Sequence, residues 1–421
     1  MSKCQGIKAI DKTSIHRITS GQVVVDLQTA VKELLENSID AGSTNVEIRF
    51  KNYGLASIEV IDNGSGIPED DYDSIALKHH TSKLETFSDL TTVRTFGFRG
   101  EALSSLCALS EEMTVYTATS MTAPQGVALT MDSGGKVKGR NRVARTVSGP
   151  FVVIVRPLIV KQQGTTITMT NLFKPLPVRR KEFERNVKRE FGKALSLLNA
   201  YALGPCSESP GIRLTVSNQP EKGPKSVQIR TLGEPSRRLS VTALWGPKAL
   251  DNIVDINLTF EVERERTSVK RLHNQDTEPI SVRVEGLISK FALGCGRTGT
   301  DRQFFYVNGR PCNMNKIQKA FNEVYRSFNV TQNPFILANF LIPTESYDVN
   351  VSPDKRTILL HSEGNLISAL KVCISILLHV MSYSFYHLDY SRSSLLAWQS
   401  HVRIGRRCNA RDLEKANTDL A

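Results

Sequence analysis

Apolar residues recur at helical spacing between positions 26 and 39, where Leu27, Val31, Leu34, Leu35 and Ile39 form one stripe and Asp40-Ala41-Gly42 closes it with a glycine stop. The pattern predicts an amphipathic helix. Val46, Ile48 and Phe50 then alternate with polar neighbours, and a mostly apolar run over 58 to 61 follows the Asn52-Tyr53-Gly54 turn. Two paired strands are expected there, with the helix packed on an antiparallel sheet. Residues 69 to 112 are rich in Gly, Ser and Thr between helical pieces, a length that suits a lid or a segment ordered by a ligand. Strand patterns resume at 113 to 117, 126 to 131 and 165 to 171. A long helix is expected over 183 to 203, with Val187, Phe191, Ala194, Leu195, Leu198 and Ala202 on one face and Gly204-Pro205 as its stop.

Beyond it, segments at 212 to 216, 227 to 231, 253 to 260, 282 to 288 and 303 to 307 suggest a second domain with a mixed sheet, and helices are expected at 315 to 328 and 363 to 372. The polar stretches 218 to 226 and 267 to 279 read as loops. The expected division is 1–221, 222–365 and a tail, 366–421, that matches no known pattern.

A chain of 421 residues, 40% hydrophobic and 23% charged, has room for two or three cores. Its net charge of +12 predicts attraction to a polyanion, nucleic acid before acidic membrane. The seven cysteines are odd in number, widely spaced and free of any Cys-x-x-Cys, which speaks against a disulfide framework or a zinc site and for a reducing compartment. Met1-Ser2-Lys3-Cys4-Gln5-Gly6 has a charge without an apolar stretch behind it, so a secretory signal is not expected and an intracellular protein is. The apolar run at 372 to 386 is broken by Ser375, His379, Ser382 and Ser384 and falls short of the ~20 residues a bilayer span needs. A buried or irregular helix is expected there, and no membrane.

Glu33 and Asn37 are one helical turn apart, so both leave the same face, which should lie away from the apolar stripe. A carboxylate there can polarise a water, and an amide oxygen one turn later can join a magnesium ion bridging phosphates. A solvated helix face would carry the same two residues. Asp62 ends an apolar strand before Asn63-Gly64-Ser65-Gly66; it can accept from the exocyclic amine of adenine while Gly64 and Gly66 let the backbone approach the ring, although a plain tight turn fits too. Gly97-Phe98-Arg99-Gly100 before Glu101-Ala102-Leu103 puts a glycine loop at a helix start, where free amides favour phosphate, or a simple hinge. The Walker and dinucleotide spacings are absent. His80-Thr81-Ser82-Lys83 adds hydroxyls and a cation that could meet the same phosphates or cap a helix.

Taken in order, Glu-x-x-x-Asn, Asp-x-Gly-x-Gly, Gly-Phe-Arg-Gly-Glu-Ala-Leu and Gly164-Thr165-Thr166 resemble the ATPases shared by DNA gyrase, Hsp90, sensor histidine kinases and MutL. The Gly-Phe-Arg-Gly-Glu-Ala-Leu form after His79-His80-Thr81-Ser82-Lys83 is that of MutL mismatch-repair proteins. The likeness runs on through Val307-Asn308-Gly309-Arg310-Pro311 and Asp348-Val349-Asn350-Val351-Ser352-Pro353-Asp354-Lys355-Arg356. Asp354-Lys355-Arg356 and Leu176-Pro177-Val178-Arg179-Arg180-Lys181 resemble the eukaryotic post-meiotic-segregation branch.

The resemblance implies a two-layer α/β sandwich ATPase domain followed by a ribosomal-S5-like α/β domain. It makes Glu33 the general base, Asn37 the magnesium ligand, Asp62 the adenine reader with Thr166 behind it, and Gly100, Glu101, Ala102 and Leu103 the phosphate cradle. Lys355 would meet the terminal phosphate of ATP. It further implies slow, Mg2+-dependent ATP hydrolysis in the nucleus, ATP-driven pairing with another MutL homologue, work with a mismatch-recognising MutS homologue, and enclosure of double-stranded DNA. The basic residues Arg179, Arg180, Lys181, Arg185, Lys188, Arg189, Arg302, Arg310, Lys316 and Lys319, with few aromatics suited to stacking, predict sequence-independent, salt-dependent contact with duplex phosphates.

Two departures stand out: residues 143 to 160 look like added sequence before the Gly-Thr motif, and the likeness ends near Val372. The family's Asp-x-His-Ala-x-x-Glu endonuclease motif does not occur in these residues. An ATPase and DNA-binding region without nuclease is therefore expected, and the rival reading is a DNA- or partner-binding module whose ATPase is disabled.

Overall fold

The computed structural model describes residues 9–83, 95–144, 163–264, 278–292, 294–349 and 351–386. Most of the expected insertion at 143 to 160 and the last part of the tail lie outside them. The chain divides into two compact units, Met1–Leu244 and Trp245–Ala421.

The first unit is built on an eight-stranded sheet of order β5-β4-β3-β6-β2-β1-β7-β8. Its strands are β1 (Asn45–Lys51), β2 (Ser57–Asp62), β3 (Glu112–Ala118), β4 (Gln125–Met131), β5 (Val137–Ala144), β6 (Gly164–Thr170), β7 (Arg213–Gln219) and β8 (Ser226–Arg230). Every neighbouring pair is antiparallel except β1 with β7. The helices are α1 (Lys12–Val23), α2 (Leu27–Asp40), α3 (Ala102–Leu109), α4 (Pro177–Leu203) and α5 (Arg237–Trp245).

Strand side chains alternate between faces, and one face is apolar: Val46, Ile48, Phe50, Ile58, Val60, Val115, Leu129 and Met169 are buried in one core with Leu27, Val31, Leu34 and Leu35 of α2 and Leu197 and Leu198 of α4. The opposite face carries half-buried polar residues such as Glu47, Arg49, Glu59, Thr166 and Thr168. The result is the expected two-layer arrangement. Helix α2 starts where Asp26 accepts from the Thr29 amide at 2.8 Å and hydroxyl at 2.7 Å, one residue after the expected start. Phe191 of α4 meets Phe50 and Tyr53 edge-on at 5.2 and 5.3 Å, fixing the long helix over β1.

The expected boundary after residue 221 falls inside a hairpin. The segments 212 to 216 and 227 to 231, assigned by pattern to the second domain, fall in β7 and β8, which pair from Thr215↔Arg230 to Asn218↔Ser226. Ladder bonding therefore carries the first unit through β8, and its compact unit runs on to Leu244.

The second unit holds a five-stranded sheet of order β12-β11-β13-β10-β9, with β9 (Ile253–Val262), β10 (Ile280–Ser289), β11 (Gln303–Val307), β12 (Arg310–Pro311) and β13 (Ile336–Leu341). It is mixed, since β11 runs parallel to β13 and the other pairs are antiparallel. Helix α6 (Asn315–Arg326) joins those parallel strands, and α7 (Glu363–Tyr386) follows the short pair β14 (Tyr347–Asp348) and β15 (Leu359–Leu360). Ile317, Phe321 and Tyr325 of α6 share a core with Leu366, Leu370, Cys373 and Ile374 of α7. The tail expected from 366 thus begins as structural helix, anchored by apolar burial. Among the described residues no helix is long and apolar enough to cross a membrane.

Candidate functional site

Helix α2 is packed on more than one side, and its polar residues go inside with the apolar ones: Lys32 is 1%, Glu33 6% and Glu36 1% exposed. The expectation that Glu33 and Asn37 occupy a face away from the packing is corrected for Glu33, which is buried, and Asn37 is half-buried. The Lys32 ammonium bonds Glu33 Oε1 and Glu36 Oε2, each at 2.9 Å, and the Tyr201 hydroxyl of α4 donates to Glu36 Oε1 at 2.5 Å. Burial disfavours the charged lysine, but Glu36 and Glu33 more than compensate, so its pKa lies above the ordinary lysine value. These buried charges are mutually satisfied, as burial demands.

One turn on, Asn37 Oδ1 accepts from Lys83 Nζ at 3.2 Å, and the same ammonium meets Asp40 Oδ2 at 2.6 Å. Asp40 also accepts the amides of Phe96 at 3.0 Å and Gly97 at 2.9 Å. A Cβ on Gly97 would stand 3.0 Å from Lys83 Nζ and 3.3 Å from Asn37 Oδ1, so this glycine admits the close approach. Sequence positions expected to meet one ligand are thereby gathered at the end of α2. Asn37 fits a hard cation by chemistry and by occupancy, because its oxygen already holds an ammonium.

The remaining loop residues divide. Thr81 and Ser82 are exposed, and the Thr81 hydroxyl accepts the Lys83 amide at 3.1 Å, a local turn. Phe98 is buried with the Arg99 guanidinium 5.8 Å over its ring, and the Gly100 carbonyl accepts from the His79 amide at 2.9 Å. The Glu101 carboxylate turns to His79 Nδ1 at 3.5 Å and Lys78 Nζ at 3.9 Å. What Glu101 leaves for an anion is therefore its backbone, at the N-cap of α3; Ala102 and Leu103 follow as the first residues of that helix.

Asp62 closes the other side. Its Oδ1 accepts the Gly64 amide at 2.9 Å and the Thr165 amide at 3.0 Å, and Oδ2 accepts the Ser38 hydroxyl of α2 at 3.1 Å. Gly66 (φ +73) lies so close to β3 that a Cβ would stand 2.2 Å from the Ala118 carbonyl, and Gly164 (φ +126) would bring one equally close to that of Asp62. Thr166 is a correction: it pairs with Ile61, whereas Asp62 and Thr165 share the buried face with Val60 and Ile167. The two-residue strand period places Thr165, not Thr166, behind Asp62, and Thr165 Oγ1 meets Thr117 Oγ1 at 3.3 Å. No site role is expected from sequence for Lys32, Glu36, Ser38 or Tyr201, and Asp40 is expected only as part of the helix stop. The available signal was the run of charged residues at 32, 33, 36 and 40, too many directions for a helix with one wet face.

The basic residues also divide. Arg179 donates to the carbonyls of Gly21 at 2.9 Å and Val24 at 3.2 Å and lies over the Phe173 ring, tying the end of α1 to α4. Arg180 donates to the Leu55 and Leu172 carbonyls at 3.0 and 2.9 Å and to Glu184. These two, expected on DNA, are committed to the fold, because their donors are taken up by backbone carbonyls. Lys181, Arg185, Lys188 and Arg189 are exposed on α4. In the second unit Arg302 stacks over Trp245 at 4.3 Å, Arg310 is half-buried on β12, and Lys355 is buried with φ +56 in a turn where its amide donates to the Ser352 carbonyl at 3.1 Å.

Two family models match the chain: Histidine kinase-, DNA gyrase B-, and HSP90-like ATPase over residues 25–139, and DNA mismatch repair protein, C-terminal domain, over residues 261–379. Mismatch repair endonuclease PMS2 of Gallus gallus is 43% identical over 368 residues, 87% of this chain and 40% of that protein. Its namesake in Homo sapiens is 40% identical over 416 residues, 98% of this chain and 44% of that protein. The chain thus spans less than half the length of these relatives. A crystal structure of the N-terminal domain of a DNA repair protein is 37% identical with a TM-score of 0.73, covering 88% of this chain and 99% of that one. With the ATPase motifs folded around α2 and β2 and this likeness across both units, the chain belongs to the MutL family of DNA mismatch repair proteins and carries that family's ATPase domain.

Proposed function

We propose that this chain binds ATP with magnesium and slowly hydrolyses the terminal phosphate in the service of DNA mismatch repair. The observation that carries the reading is the Ser38 hydroxyl on Asp62 Oδ2, which fastens α2, the helix that bears Glu33 and Asn37, to the strand end that bears Asp62. Asp62, held by two amides and a hydroxyl, is placed to accept from the exocyclic amine of adenine. Asn37 supplies an amide oxygen to the metal, with Lys83 beside it as a second positive group for phosphate. Magnesium, when bound, neutralises charge on the phosphate oxygens. Glu33 accepts a proton from the attacking water, and the amides at the start of α3 receive phosphate oxygens.

The exposed Lys181, Arg185, Lys188 and Arg189 on α4 suit sequence-independent contact with the DNA backbone. Pairing with another MutL homologue driven by ATP, cooperation with a MutS homologue and nuclear residence complete the proposal; the names of the PMS2 relatives support the mismatch-repair setting. The test is equilibrium titration with a fluorescent ATP analogue, with and without magnesium. Saturable, magnesium-strengthened binding that Asn37→Ala weakens is the expected result; binding indifferent to both metal and Asn37 overturns the assignment.

A further inference from the structure

We infer that Lys32 is a positioning residue for hydrolysis: braced by Glu36 and Tyr201, its ammonium holds the Glu33 carboxylate in one place. The inference rests on Glu33 being the general base. Side chains at i and i+1 of a helix leave in directions about 100° apart and do not ordinarily meet. Lys32 nonetheless bonds Glu33 Oε1 at 2.9 Å while also bonding Glu36, its natural partner one turn along, at 2.9 Å. The second bond alone would partner the lysine. The first, which the helix geometry disfavours, acts on Glu33.

The brace extends to another element. Glu36 Oε1 accepts the Tyr201 hydroxyl of α4 at 2.5 Å, so both carboxylate oxygens of Glu36 have donors and the Lys32 ammonium is held from behind. The Tyr201 ring lies 6.0 Å from that of Phe96, whose amide is bound to Asp40 beside Gly97. The base is thereby linked by packed and bonded groups to the loop of the phosphate motif. Stability is a poor reason for such an arrangement, since buried ion pairs can be replaced by well-packed apolar groups at little loss or with gain. A catalytic carboxylate has a stronger reason, because a base must lie within hydrogen-bond reach of the water it deprotonates, and small misplacements lose large factors in rate.

The experiment measures kcat and the Kd of a non-hydrolysable ATP analogue on the full chain. Lys32→Met keeps the aliphatic stem; it should lower kcat by about 10- to 100-fold, part of the ~10²–10⁴ supplied by a positioned base, and leave Kd within about twofold. In a Glu33→Gln background the same change should cause no further loss, because Lys32 acts only through Glu33. Tyr201→Phe removes one hydroxyl and should give the same split with a smaller amplitude, which decides the matter if Lys32→Met does not fold. An unchanged kcat, a parallel loss of binding, or a further loss on top of Glu33→Gln overturns the role of Lys32. Wild-type hydrolysis by Glu33→Gln alone removes the general base itself, a failure distinct from the others.

Discussion

Ser38 and Asp62, 24 positions apart, meet through a hydroxyl-to-carboxylate bond of 3.1 Å that fastens α2 to the end of β2. Asp62 is 8% exposed and also receives the amides of Gly64 and Thr165, so it has a structural task beside the recognition proposed for it. Asp62→Asn keeps an oxygen for the two amides and can donate its new amide nitrogen to the Ser38 hydroxyl, which turns to accept, but it removes the carboxylate acceptor proposed for the adenine amine. It should change folding stability by less than about 1 kcal/mol, the worth of a single hydrogen bond, and abolish adenine-nucleotide binding. Thermal melts beside analogue titration separate the two effects; tight binding by the variant contradicts the assignment.

The arginines of α4 predict opposite behaviour in neighbouring residues. Arg179→Ala or Arg180→Ala strips donors from half-buried carbonyls and should lower stability by about 1–3 kcal/mol without changing the salt dependence of DNA binding. Lys181→Ala combined with Arg185→Ala should leave the melting temperature alone and flatten the log–log salt slope by about two units. Binding measured across a salt series checks both.

Cys107, Cys206 and Cys312 are buried, and burial pushes each thiol up to about 12. They stay protonated at neutral pH and are poor nucleophiles. Cys295 is only half-buried. Limited alkylation of the native protein followed by peptide mapping should mark Cys295 well before those three.

His16 of α1 shares a 2.9 Å hydrogen bond with Ser104 of α3. Burial and then Lys78 lower its pKa, against a smaller opposing pull from Asp132. The folded state therefore prefers neutral imidazole, and the unfolded chain takes up the proton first as pH falls. The stability this contributes is present above the ordinary imidazole value and is lost as pH falls through the folded one. Melting temperature should drop between about pH 7.5 and about pH 5, and His16→Gln should reduce that drop.

Much of the first unit was legible because its signals are periodic. The stripe in α2 and the alternation in β1 set the helix on the sheet, and the motif order placed Glu33, Asn37 and Asp62 together. What escaped notice lacked a period. Strand β13 is buried on nearly every residue as a central strand, so its apolar run shows no alternation. Helix α1 leaves Ile15 and Ile18 exposed and gives no stripe. The break near 221 was misplaced because a hairpin between two short strands resembles a linker in composition. Thr166 follows from the resemblance alone, which carries no register; the pairing of Ile61 with Thr166 is what puts Thr165 on the face of Asp62. Arg179 and Arg180 counted as surface charge because their carbonyl partners at Gly21, Val24, Leu55 and Leu172 come from elsewhere in the chain.

The central claim is that Glu33, buried on α2, activates water against bound ATP. Single-turnover hydrolysis by Glu33→Gln tests it most directly, with binding of the ATP analogue measured on the same preparation. Retained binding with hydrolysis reduced by about 10²-fold or more is the predicted result. Hydrolysis at the wild-type rate contradicts it.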